Sequence, residues 1–223
     1  MDGTGVLFTP LLEHIQKSLP FEIVPLSTFS ADCPKQQAKE LAQRLNSQEV
    51  IIFAESYSGL IAYELCQLKG LNIKHIIFAA SFLERPSVLS KFAHLLPISL
   101  IQKRLIPDAM LSYVLFGGHK SKELVDLFYQ SLQHTSIKTR KRRLKRIQHA
   151  QKPTQPIMLP VTYIKANRDY LVSPKVLGCF KHLCMDFNII HINGGHFIAQ
   201  SNPTACWAVL HTIMSQILDS TQI

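Results

Sequence analysis

The sequence predicts an α/β fold: a mostly parallel sheet with helices on both faces and an inserted helical cap. Three observations lead there. Short apolar runs alternate with amphipathic helical patterns along much of the chain, the mark of repeated strand–helix units. The alternation breaks off after residue 84 and resumes at residue 157, with helical text between two strands. The length of 223 residues suits one domain with an insertion better than two domains. A hydrophobic share of 47% against 17% charged residues provides a core and excludes a disordered tail. The expected layout is a core of residues 1–84 and 157–223 and a cap of residues 85–156.

Each element has its own signal. Thr9-Pro10 suits the N-cap and first position of a helix, whose apolar face is Leu11, Leu12, Ile15 and Leu19. Phe21–Leu26 reads as a short strand. Ala38, Leu41, Ala42 and Leu45 have the i, i+3, i+4, i+7 spacing of a second helix. Val50–Phe53 is a continuous apolar run, typical of a parallel strand buried on both faces. A helix from Ser58 to Lys69 follows, with Gly70 placed to end it, and then a buried strand His75–Ala80. Arg85 to Gln151 is helical, broken by Pro97, Pro107 and Gly117-Gly118. Pro153, Pro156 and Pro160 mark a linker. Val161–Ala166 (strand), Pro174–Leu183 (helix), Phe187–Ile192 (strand) and Pro203–Leu218 (helix) complete the alternation.

Composition narrows the class further. Five cysteines without a C-x-x-C pair argue against a disulfide scaffold and against a zinc ribbon. No apolar run reaches the ~18 residues of a membrane span. No basic segment followed by an apolar one opens the chain, so the expectation is a cytoplasmic protein with reduced thiols. There are 24 basic and 15 acidic residues, but seven of the basic ones fall within residues 138–146. The positive charge is therefore a local feature.

The chemistry begins at Ala54-Glu55-Ser56-Tyr57-Ser58-Gly59, where a buried strand runs straight into a helix. A serine at such a corner has the context of a nucleophile elbow, whose tight turn demands small residues two before and two after it. Around Ser56 these are Ala54 and Ser58; around Ser58 the second would be Leu60, which is too large. Ser56 is thus the better nucleophile, and the Tyr57 N–H at the helix start points at a developing oxyanion. The plainer alternative is that Ser56 only caps the helix.

A serine nucleophile needs a base, and the base needs a group to orient it. In an α/β sheet both belong on loops at the carboxyl ends of strands. Asp169 follows the strand Val161–Ala166, and His196 follows Phe187–Ile192. Glu84, after His75–Ala80, is the competing acid. Asp186 precedes its strand and sits at the wrong end. His191, inside a strand, reads as a packed core histidine. His182, between Cys179 and Cys184, lacks metal-ligand spacing, and no metal site is expected.

Together, Ala54–Gly59, Asn167-Arg168-Asp169-Tyr170-Leu171-Val172 and Gly194-Gly195-His196-Phe197 resemble the α/β-hydrolase superfamily, in its chain order of nucleophile, acid and base. Met1-Asp2-Gly3-Thr4-Gly5-Val6-Leu7-Phe8 resembles the loop after that fold's third strand. The resemblance covers nearly the whole chain. It implies a serine carboxylic-ester hydrolase working through an acyl-enzyme, with Ser56, Asp169 and His196 catalytic and no metal or organic cofactor. Tyr57 and the Met1–Asp2 segment would supply the oxyanion hole. Relatives carry about three strands before this loop, so the expectation is a fold that lacks its first strands. The Met1 nitrogen would be an amine where the family has an amide. Either the protein starts upstream of Met1, or the sheet is rebuilt without those strands.

In the superfamily the cap shapes the acyl pocket. Phe92, Leu95, Leu96, Leu100, Ile101, Leu111, Val114, Leu115 and Phe116 suit an acyl chain or simply a cap core. Ile137, Leu144 and Ile147 are expected to dock one helix face and leave Lys138, Arg140, Lys141, Arg142, Arg143, Lys145 and Arg146 outward. Such a run is a solvated face, a patch for an acidic partner, or a nucleic-acid or nuclear-targeting signal. No nucleic-acid-binding motif accompanies it. In cap placement and motifs the chain is similar to pimeloyl-acyl carrier protein methyl ester carboxylesterases of biotin synthesis. That likeness implies an acidic acyl carrier protein as partner. A short-chain carboxylesterase, an acyl thioesterase and an acyltransferase fit the same residues. So does a non-catalytic carrier- or lipid-binding protein on a degenerate hydrolase fold.

Overall fold

The computed structural model describes residues 3–15, 19–87 and 101–221. Its sheet has four strands, β1 (Glu49–Glu55), β2 (Asn72–Ala79), β3 (Ile157–Ala166) and β4 (Cys184–Ile192), in the order β1-β2-β3-β4. All neighbouring pairs are parallel. Side-chain alternation sorts β2 onto two faces, as a strand's period of two requires. Ile76 and Phe78 join Ala38, Ile61, Leu65 and Phe180 from helices α2 (Pro34–Leu45), α3 (Ser58–Cys66) and α7 (Val176–Leu183). Ile77 and Ala79 join Leu11, Ile198, Val209 and Ile213 on the other face, from α1 (Thr9–Leu12), α8 (Ile198–Ser201) and α9 (Pro203–Thr221). A sheet covered on both faces explains why β1 and β2 read as continuous apolar runs.

Between β2 and β3 lie α4 (Asp108–Phe116), α5 (Lys122–Gln133) and α6 (Ile137–Gln148). Ser121 and Ser136 cap α5 and α6, each accepting a main-chain N–H at 3.1 Å. A third core of Leu111, Leu115, Phe116, Leu124 and Phe128 encloses Leu7 and Phe197. The insertion is therefore packed onto the turn that carries His196.

Several expectations are corrected. Phe21–Leu26 is not a strand: its backbone pairs with no sheet strand, and the Leu26 N–H donates to the Gly3 carbonyl at 2.7 Å. Among the described residues no strand precedes Glu49, so β1 is a sheet edge. The first helix ends at Leu12 with Phe8 as its N-cap, and the Thr9 hydroxyl bonds back to the Val6 carbonyl. The rest of the expected helix runs into residues 16–18, outside the described residues. Helix α3 stops at Cys66 rather than Lys69. Strand β3 starts at Ile157, inside the expected linker. His191 is exposed on β4 rather than packed in the core, because β4 is the other sheet edge. Phe92, Leu95, Leu96 and Leu100 lie outside the described residues, while Leu111, Leu115 and Phe116 are buried.

The basic run also departs from expectation. Arg140 and Arg143 are 1% and 3% exposed beside Leu144 and Ile147, while Ile137 faces solvent. Arg140 Nη2 donates to the Thr135 carbonyl at 2.9 Å, and its Nε and Nη1 are buried with no hydrogen-bond partner among the described residues. Lys138, Lys141, Arg142 and Lys145 stay exposed and line a shallow groove with Ile137. Arg142 pairs with Asp32 at 2.8 Å, and Arg146 is half-buried.

Candidate active site

The corner between β1 and α3 is a constrained turn. Ser56 has φ 55°, in the left-handed region that a non-glycine residue enters only at a cost. Its backbone is held from both sides. The Ser56 N–H donates to the Ala79 carbonyl at 3.0 Å, and the Ser56 carbonyl accepts the Ser81 hydroxyl at 2.8 Å. Gly59 must lack a side chain, because a Cβ there would collide with the Ser81 hydroxyl. The result lifts the Ser56 side chain away from the strand at the sheet's carboxyl end.

The loops after β3 and β4 reach the same point. Ser56 Oγ lies 2.8 Å from His196 Nε2, and His196 Nδ1 lies 3.0 Å from Asp169 Oδ2. The other carboxylate oxygen, Oδ1, accepts the N–H groups of Leu171 and Val172 at 2.8 and 2.9 Å. Burial acts to raise the Asp169 pKa. The charge and hydrogen bond of His196, with the two main-chain N–H groups, outweigh it and hold the carboxyl below its ordinary value. An ionised carboxylate only accepts, so the proton sits on Nδ1 and leaves Nε2 to accept from the serine hydroxyl. His196 is 4% exposed, so this chain of hydrogen bonds is shielded from water. The three residues singled out in sequence are thus brought together. Neither Glu84 nor Asp186 is hydrogen-bonded to His196; their charges act on Cys179 and His75.

Tyr57, the N-cap of α3, has its side chain buried, and burial pushes its hydroxyl up to about 12. The hydroxyl donates to the Asp32 carbonyl at 3.5 Å, so the ring packs inward and only the main-chain N–H is left for substrate. Met1 and Asp2 lie outside the described residues. Gly3, next to them, is left-handed and sits against the Arg143 guanidinium, where a Cβ would collide.

The insertion meets the acid and base loops through glycines. A Cβ on Gly117 would stand 2.8 Å from the Gly195 nitrogen, and one on Gly195 would collide with the backbone of Phe116 and Gly117. Arg168 Nη1 donates to the Gly117 carbonyl at 3.2 Å, and the Phe197 N–H to the Leu115 carbonyl at 3.0 Å. Sequence reasoning missed two residues here. Ser81 had no local signal beyond its place after a strand. Glu55 read only as part of the corner motif before Ser56, yet its buried carboxylate reaches the residues just past His196.

Solved structures share this architecture. A hydrolase from Oleispira antarctica superposes with a TM-score of 0.74 at 17% identity, covering 96% of this chain and 88% of that one. RedJ, a thioesterase from the prodiginine biosynthetic pathway of Streptomyces coelicolor, gives 0.64 at 18% identity over 96% and 81% of the two chains. MGS-M2, an α/β hydrolase from a Medee basin deep-sea metagenome library, gives 0.58 at 17% identity over 81% and 70%. No protein-family model matches the chain, and no curated protein matches it. The chain has the α/β-hydrolase fold.

Proposed function

We propose that this chain is a serine hydrolase that cleaves carboxylic esters or thioesters through an acyl-enzyme. The observation that carries the reading is the continuous hydrogen-bond chain from Ser56 through His196 to Asp169, at 2.8 and 3.0 Å, set on a left-handed serine. Ser56 Oγ attacks the carbonyl carbon while His196 Nε2 takes its proton. Asp169 keeps the imidazole in the required tautomer and stabilises it once charged. The Tyr57 N–H stabilises the oxyanion. His196 then returns the proton to the departing alcohol or thiol, and water attacks the acyl-enzyme by the same route in reverse.

The exposed face of α6, with Lys138, Lys141, Arg142 and Lys145, favours delivery by an acidic carrier protein. Arg140 and Arg143 are buried and take no part in that face. The thioesterase likeness makes a carrier-bound thioester the second substrate to try, beside a carrier-bound methyl ester such as that of pimeloyl-acyl carrier protein.

The test is the intact mass of the protein before and after a serine-reactive fluorophosphonate, with Ser56→Ala as control. A single adduct on the unmodified chain and none on the variant is expected. An adduct of equal rate on Ser56→Ala would refute the assignment.

A further inference from the structure

Glu55 ends β1, is 8% exposed and stands directly before Ser56. A carboxylate in such a place is costly unless its oxygens are hydrogen-bonded. Here they are: Oε1 accepts the Ala199 N–H at 3.0 Å and Oε2 accepts Gln200 Nε2 at 3.1 Å. Gln200 is 2% exposed, and its Oε1 has no hydrogen-bond partner among the described residues, so the amide is oriented with its donor toward Glu55. Both contacts lie in α8, which begins two residues after His196.

We infer that Glu55 is a positioning residue: its carboxylate locks the turn carrying His196 onto the strand carrying Ser56. The inference rests on the serine-hydrolase reading above. The base turn has other braces. The Gly195 N–H donates to Ser201 Oγ at 3.2 Å within the turn itself, the Phe197 N–H donates to Leu115 of the insertion, and the Gly194 carbonyl accepts the Arg168 N–H of the acid loop at 3.0 Å. Of these braces, Glu55 alone ties the turn to the strand that carries Ser56. It forms a second bridge between the two loops, in parallel with the 2.8 Å contact of Ser56 Oγ and His196 Nε2. A glutamate suits the role because it is acceptor-only, with one oxygen for a main-chain N–H and one for an amide donor.

The test compares Glu55→Ala, Glu55→Gln and Gln200→Met with the unmodified chain, each assayed well below its own melting temperature. Fluorophosphonate labelling rate and p-nitrophenyl ester hydrolysis are read against pH. Loss of the bridge lets the imidazole drift by an ångström-scale distance, so Glu55→Ala is expected to lose about 100-fold in labelling rate and kcat, with little change in KM. Glu55→Gln is expected within about five-fold of the unmodified chain. Its oxygen still accepts the Ala199 N–H, and its amide meets Gln200 Oε1 once that side chain rotates. Gln200→Met, which removes one of the two contacts, is expected between them and carries the test if Glu55→Ala does not fold. A residue that only stabilised the fold would leave kcat in folded protein unmoved. Labelling of folded Glu55→Ala or Gln200→Met at the unmodified rate therefore overturns the inference while leaving the Ser56 assignment intact. No labelling of the unmodified chain overturns both.

Discussion

Asp169→Asn isolates the role of the acid, because the structure dictates which way the new amide must point. Oδ1 of Asp169 accepts two main-chain N–H groups, from Leu171 and Val172. An amide NH2 in that place would set donor against donor twice. The asparagine carbonyl must therefore take the Oδ1 position, and its NH2 must take the Oδ2 position, 3.0 Å from His196 Nδ1. There it donates, so Nδ1 becomes an acceptor and the ring proton moves to Nε2. That nitrogen, 2.8 Å from Ser56 Oγ, can then no longer take the serine proton. Recovering the productive tautomer means flipping the amide and taking the acceptor from two N–H groups, the part-buried one of Val172 at about 1–3 kcal/mol and the exposed one of Leu171, which water can satisfy, at little. A cost near 2 kcal/mol corresponds to a loss of roughly 30-fold in acylation rate. The assay is fluorophosphonate labelling, with 15N shifts of the imidazole reporting the tautomer. Protonation at Nδ1 is expected in the unmodified chain and at Nε2 in the variant. Activity within ten-fold of the unmodified chain, with Nδ1 still protonated, would refute the reasoning.

Other predictions follow from the same geometry. The Asp169 carboxyl is held below its ordinary value, so it contributes stability that is full above about pH 4 and is lost as pH falls through its lower folded pKa. In urea titrations from pH 7 to pH 3, the stability gap between the unmodified chain and Asp169→Asn should hold steady and then narrow in acid; a widening gap would contradict it. Ser56→Gly should be more stable than Ser56→Ala by about 1 kcal/mol, because only glycine takes φ 55° without steric cost. Equal urea midpoints would mean the elbow carries no strain. Arg140→Met should leave stability unchanged or raise it by about 1 kcal/mol, since it removes a buried guanidinium with two nitrogens unpaired among the described residues. A loss above about 2 kcal/mol in urea denaturation would show that the guanidinium is compensated.

The strands, and the loop positions of the three residues that meet at the β1 corner, were legible for one reason: each is set by a local pattern that the tertiary structure reinforces. Val50–Phe53 and His75–Ala80 are apolar without interruption because helices cover both faces of the sheet. Ser56, Asp169 and His196 each follow such a strand directly, so finding the strands also located the loops. Phe21–Leu26 failed because a strand needs a neighbour and not only a composition. Its partner is the N-terminal loop, through Gly3, rather than a sheet edge.

The misreading of α6 has a different cause. Arg140, Arg143, Leu144 and Ile147 have the i, i+3, i+4, i+7 spacing of one helix face, so the geometry was present in the sequence. The rule that charges face water was set above it. That rule holds for Lys138, Lys141 and Lys145 on the opposite side and fails for Arg140 and Arg143. A periodic pattern fixes which residues share a face, whereas residue type only weighs which face is buried. Glu55 marks the limit of both kinds of reasoning. Its partners are 144 and 145 residues away, and no local pattern separates a strand-ending glutamate in solvent from one that braces the turn after β4. What distinguishes it is a contact between two loops, each of which is legible only as the carrier of its own candidate site residue. The alignment of such loops is a property of the folded sheet, and residues that enforce it surface only when the sheet is assembled.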